Sequence, residues 1–126
     1  MAELESIQKK IIAFRNERDW AQFHDPKNLA EALSIEAGEL LENFLWTTTE
    51  QSRNLTAEEF KNVKEELADI FIFLTYLSEE YEIDLLAEVE RKIAKNEAKY
   101  PVDKAKGSSK KQRGSDFRID ILPLSY

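Results

Sequence analysis

"TAEEFKNVKEELADIFIFLTYLSEEY", residues 56–81, carries the clearest periodic signal in the chain. Phe60, Val63, Leu67, Ile70, Leu74, Leu77 and Tyr81 recur at alternating steps of three and four, which predicts a helix with an apolar seam against other helices. Thr56 and Glu59 form a capping box that sets its start. Residues 3–18 repeat the pattern with Leu4, Ile7, Ile11 and Phe14. Asp25 before Pro26 looks like an N-cap followed by proline at the first helical position, and the helix it opens extends to about Phe44. Asp84 can cap a last helix carrying Leu86, Val89 and Ile93, which stops before Pro101. "WTTTEQSRNL", residues 46–55, reads as a loop. The expectation is an all-α chain of four helices.

Composition agrees. Three Gly, three Pro and 34% charged residues in 126 suit one helical domain better than a sheet protein. The core such a chain can build is modest, and helical proteins of this size often complete it by oligomerising. The absence of Cys excludes disulfides, thiolate zinc sites and cysteine nucleophiles. No apolar run approaches the ~20 residues of a membrane span, so no membrane partner is expected. "MAELESIQKK" lacks the apolar centre of a signal peptide, which makes the cytoplasm the expected location. Charge is unevenly spread. Residues 103–126 hold six Lys/Arg against three Asp, leaving 22 acids against 12 bases in the rest. An acidic body is a poor general ligand for nucleic acid but concentrates cations. The expected domain covers residues 1–107, and 108–126 form a tail that is basic and then apolar.

The acids at the seams raise the functional question. On the second helix Leu29, Leu33, Ala37, Leu40, Leu41 and Phe44 fill an arc of roughly 120°, at about 100° per residue. Glu36 falls just outside that arc and Glu39 further round on the same side, neighbours at i and i+3. Glu66 and Asp69 repeat the arrangement on the third helix. Packed together, the two helices would gather four carboxylates. These are either solvated surface acids or ligands to a hard divalent ion, Mg²⁺ or Mn²⁺, which all-oxygen donors favour. A di-iron bundle would need Glu-x-x-His ligands, and His24, the one histidine, has no Glu three residues before it.

Taken together, "FRNERDWAQFHDPKNLAEALSIEAGELLENFLW", "EELADIFIFL" and "KNEAKYPVDKAKG" resemble the MazG-like nucleotide pyrophosphohydrolases, in particular their dCTP pyrophosphatase branch, over roughly residues 10–107. The family's signature, E-x-x-E followed by E-x-x-D, reads here as Glu36, Glu39, Glu66 and Asp69. The resemblance implies a four-helix bundle completed by dimerisation, commonly as a dimer of dimers. It also implies Mg²⁺ held by these four acids, and hydrolysis of a nucleoside triphosphate to monophosphate and pyrophosphate. dCTP or a modified or noncanonical dNTP would be the substrate, as in nucleotide-pool house-cleaning. Glu39 and Glu36 are the expected catalytic groups, Glu39 as the one that orients or deprotonates water.

By the same resemblance Trp20, His24 and Trp46 line a nucleobase pocket; their bland alternative is structural aromatics and a hydrogen-bonding loop histidine. Lys92, Asn96, Tyr100 and Lys104 match the branch's substrate-binding run, against the alternative of a solvated polar face. Asn28 is expected near the site, or else serves only the first turn of its helix. Phe73 stands where the branch often has tyrosine, so it can stack but cannot donate a hydrogen bond. The competing reading is a non-catalytic helical module that binds partners and keeps the fold without turnover. Retention of all four acids argues against it.

Overall fold

The structure, a computed structural model, describes residues 2–109. The expected tail beyond Ser109 lies outside the described residues. Among the described residues six helices follow in order: α1 (Ala2–Glu17), α2 (Pro26–Glu42), α3 (Thr49–Arg53), α4 (Ala57–Glu80), α5 (Leu85–Lys99) and α6 (Val102–Ala105), with a 3₁₀ turn at Ala21–Phe23. The all-α expectation holds, and among the described residues there is no strand. No described helix is long and apolar enough to cross a membrane.

The caps are those expected from the sequence. Asp25 Oδ1 accepts the Asn28 N–H at 2.9 Å, with Pro26 opening α2. At α4, Thr56 Oγ1 accepts from the Glu59 N–H (3.2 Å) and Glu59 Oε1 from the Thr56 N–H (3.0 Å). Those bonds to the Glu59 carboxylate favour its ionised form and lower its pKa. Asp84 caps α5 through the Ala87 N–H at 3.1 Å. Two short helices, α3 and α6, were not foreseen. Thr48 and Gln51 form a second capping box, so α3 folds where a loop was expected.

Two compact units emerge, Met1–Ile83 and Asp84–Tyr126. In the first, α4 packs against both α2 and α1. Leu29 (1% exposed) and Tyr76 (5%) are the buried apolar residues, joined in burial by Arg15 and Thr75. The expected seam of α4 is only partly covered. Val63, Ile70, Leu74 and Leu77 are half-buried, whereas Phe60, Leu67 and Tyr81 are exposed. The reason lies in "IFIFLTYL", residues 70–77, which is apolar nearly all round and therefore presents more than one face for packing. In the second unit, α5 ends at Tyr100, whose N–H reaches the Asn96 carbonyl at 2.7 Å, and α6 follows Pro101.

Both α1 and α4 close with the same left-handed turn. The Trp20 N–H bonds the Arg15 carbonyl (3.1 Å) and the Asp19 N–H that of Asn16 (3.1 Å). The Ile83 N–H bonds Ser78 (2.9 Å) and the Glu82 N–H bonds Glu79 (3.1 Å). Asp19 (φ 54°) and Glu82 (φ 52°) occupy the position that glycine usually fills. At the first of these, Gln22 Nε2 donates to the Asp19 carbonyl at 3.0 Å and to its Oδ2 at 3.2 Å. Two results are expected in chemical denaturation. Glu82→Gly should gain about 0.5–1 kcal/mol by relieving the left-handed strain, net of chain entropy. Leu29→Ala should lose about 2–5 kcal/mol through the cavity it leaves.

Candidate metal centre and aromatic groove

α2 and α4 bring three of the expected acids together. One carboxylate oxygen each from Glu36, Glu39 and Glu66 lies within 4.8 Å of the others. Glu36 and Glu66 are half-buried, and Glu39 is exposed. The Oε2 atoms of Glu36 and Glu66 are buried with no hydrogen-bond partner. Carboxylate oxygens withdrawn from water and given no donor carry a desolvation cost that a cation would remove. Asp69 is outside this tight trio, but its charge acts on Glu36.

Electrostatics record the strain of the arrangement. The Glu36 carboxyl is pushed up to about 7, chiefly because its protonated form can hydrogen-bond the Glu66 side chain, then by burial and by the charges of Glu39 and Asp69. Without a counter-ion the cluster holds a proton that isolated glutamates would release. A donor set made only of oxygens, crowded and short of hydrogen bonds, fits a hard divalent cation held by Glu36, Glu39 and Glu66 with Asp69 beside them.

Asp69 also opens onto a second feature. A groove of about 520 Å³ is lined by Ile7, Lys10, Ile11 and Phe14 of α1, Trp20 and His24 of the following segment, and Asp69, Ile72, Phe73 and Tyr76 of α4. The α1 stripe read as core is thus a groove wall, which explains why Ile7 and Phe14 stay nearly half exposed. Phe14 and Trp20 meet edge to face at 5.7 Å. The Arg18 guanidinium covers Phe14 at 3.7 Å from the ring centroid. The left-handed turn at Asp19 is what delivers Trp20 to this wall.

His24 and Tyr76 build the far part of the groove, their rings 4.7 Å apart. Burial and then the positive charge of Arg15 lower the His24 pKa, with Glu80 opposing, so the imidazole is neutral at neutral pH. Its Nδ1 is buried without a partner. Burial raises the Tyr76 phenol, against the pull of Arg15 and Arg18. Phe73 contributes an aromatic face with no donor, and Tyr76, three residues on, supplies the phenol.

Other expected residues stand elsewhere. Trp46 is 94% exposed past the end of α2 and does not line the groove. Asn28 is committed to its cap, donating from Nδ2 to Asp25 Oδ2 at 2.6 Å, and does not line the groove either. Lys92 and Asn96 sit on α5 with Tyr100 at its end, and Lys104 on α6, all in the second unit. Tyr76, Lys10 and Arg15 escaped the sequence reading. Tyr76 carried a usable signal, since Asp69, Phe73 and Tyr76 follow the helical steps of four and three.

Residues 32–114 match the MazG-like family. The chain belongs to that family. It is 39% identical over 110 residues to human dCTP pyrophosphatase 1, a match covering 86% of this chain and 65% of the relative. It is 40% identical over 108 residues to the bovine protein of the same name, covering 84% and 64%. The chain therefore spans somewhat less than two thirds of these relatives' length. Among solved structures it resembles a pyrophosphatase from Archaeoglobus fulgidus, with a TM-score of 0.73, 40% identity, and coverage of 79% of this chain and 93% of that one.

The acid cluster makes stability depend on pH with a defined sign. Glu36 keeps its proton in the fold up to about pH 7, whereas an unstrained glutamate releases it near 4.5. Its contribution to stability is full below about 4.5 and is lost as pH rises through 7. The Tm of EDTA-treated protein should fall between pH 5 and 8 more steeply than that of Glu36→Gln, and Mg²⁺ should restore it at pH 8. Equal slopes in the two proteins would show that the cluster is not strained.

Proposed function

We propose that the protein is a divalent-cation-dependent nucleoside triphosphate pyrophosphohydrolase. The reading rests above all on Asp69, which acts on the acid cluster and lines the aromatic groove. One residue thus links a place suited to a cation with a place suited to a base. Glu36, Glu39, Glu66 and Asp69 would hold the ion, with Mg²⁺ the expected metal and Mn²⁺ a substitute. When bound, such an ion screens phosphate oxygens, stabilises charge in the transition state and acidifies a water.

A triphosphate brings about four negative charges, which bare carboxylates repel; the acids serve it only when the cation offsets them. Glu39, the exposed member of the trio, takes the proton of the attacking water. A new P–O bond forms to that oxygen, the anhydride bond between the α- and β-phosphoryl groups breaks, and pyrophosphate leaves. No side-chain nucleophile takes part, in keeping with a chain without Cys. Trp20, His24 and Phe73 receive the base, the rings by stacking and the neutral imidazole by a hydrogen bond. Lys92, Asn96, Tyr100 and Lys104, expected from the resemblance to bind substrate, carry ammonium, amide and phenol groups of the kind suited to phosphate oxygens and a base edge. dCTP, or a modified or noncanonical dNTP, is the substrate most consistent with the named relatives.

Self-association belongs to the proposal. Leu41, Leu45, Trp46, Phe60 and Leu67 are all more than half exposed, a load of large apolar side chains that a second copy would cover in a homodimer or dimer of dimers. Trp46 suits that surface better than this chain's own groove.

Assayed with Mg²⁺ and a panel of dNTPs, the wild type should release pyrophosphate and not inorganic phosphate. Glu39→Gln and Asp69→Asn should keep the helical circular dichroism and lose turnover by a factor of roughly 10² or more. Turnover at the wild-type level by either variant would refute the reading. Light scattering should give a mass of two or four chains, and a monomer would refute the self-association.

A further inference from the structure

The α4 face that carries the acids does not end at Asp69. Asp69, Phe73 and Tyr76 continue along it and all three line the groove. At 1.5 Å per residue, Phe73 stands ~6 Å and Tyr76 ~10.5 Å along the helix axis from Asp69. A base carried by a phosphate chain held at the acids therefore passes Phe73 before it reaches Tyr76.

Tyr76 is built to be immovable. It is 5% exposed. Its ring meets Phe73 edge-on at 6.1 Å and His24 at 4.7 Å. The Arg15 guanidinium lies 5.6 Å from its centroid. Arg15 is itself buried and tied down, through Nη1 to Glu80 Oε1 at 3.3 Å and through Nε to Asn16 Oδ1 at 3.1 Å. The Arg15 carbonyl also accepts the N–H groups of Arg18 and Trp20, so one residue fixes both the Trp20 wall and the support beneath Tyr76. A ring pinned by two aromatic neighbours and a clamped cation cannot swing aside at small cost.

We propose that Tyr76 is a specificity-determining residue: it forms the end wall of the groove, admits a single-ring base and refuses a two-ring base. The proposal rests on the nucleotide reading of the site and adds to it the residue that measures the length of the base. A pyrimidine stops short of the phenol, whereas the second fused ring of a purine meets it. Arg15 acts as a positioning residue through Tyr76 and Trp20.

The test compares wild type, Tyr76→Leu, Tyr76→Phe and Tyr76→Trp. kcat/KM with Mg²⁺ and equilibrium binding with Ca²⁺ are both measured for dCTP, dTTP, dATP and dGTP. Wild type should favour the pyrimidines. Tyr76→Leu, which shortens the wall, should raise the purine-to-pyrimidine ratio by about tenfold or more, the scale on which apolar pockets discriminate by size. Tyr76→Phe keeps the ring and should keep the ratio. Should Tyr76→Leu fail to fold by circular dichroism, Tyr76→Trp decides, because a longer wall should weaken pyrimidine binding as well. An unchanged ratio in the folded Leu variant, unchanged pyrimidine binding in the Trp variant, or equal binding of all four nucleotides by wild type overturns the proposal. So does binding of none. Selective binding of pyrimidines without pyrophosphate release would instead sink the catalytic reading and leave the wall standing.

Discussion

Mutual repulsion among carboxylates dominates the place where α2 and α4 meet. α2 and α4 bring Glu36, Glu39 and Glu66 within 4.8 Å of one another, and two of their oxygens are buried without a donor. Packing these helices through apolar side chains alone would not require that arrangement, and solvated acids would not need it. The fold therefore carries an electrostatic debt at one place, visible in the raised Glu36 carboxyl, and a divalent cation is the species that cancels it.

The groove depends on a second buried charge of opposite sign. Arg15 joins the end of α1 to the end of α4 through Glu80, lies against the Tyr76 ring and terminates the turn that carries Trp20. Its charge also helps keep His24 neutral, so the imidazole faces a ligand as a hydrogen-bonding group rather than a cation. Arg15 is the buried partner of this pair, and losing Glu80 would leave its charge uncompensated, which holds the junction in place. Rigidity here serves geometry: it holds the aromatic walls in fixed relation to Asp69.

The helices were legible because their signals are local. The stripe of residues 56–81, the capping box at Thr56 and the Asp25–Pro26 start each follow from spacing a few residues long, and the structure keeps all three. The short helix α3 was missed: Thr48 and Gln51 have the spacing of the box at Thr56, but its five residues carry no apolar stripe. The gathering of the acids followed from their place beside two seams. Burial was harder to read. Phe60 and Leu67 fit the seam by period and are exposed, while Tyr76 lies off it and is buried. Period locates a face but does not say which of several apolar faces a neighbour will cover. Arg15 was invisible for a related reason: its partner Glu80 is 65 residues away, beyond any local pattern.

A cation that enters the cluster should expel a proton from it. With Glu36 near 7, a metal-free cluster at pH 7 should be about half protonated at that carboxyl, and a cation must displace the proton. Calorimetric titration with Mn²⁺ at pH 7, in two buffers of different ionisation enthalpy, should show roughly half a proton released per chain and none in Glu36→Gln. Binding without proton release, or no binding, would contradict the account.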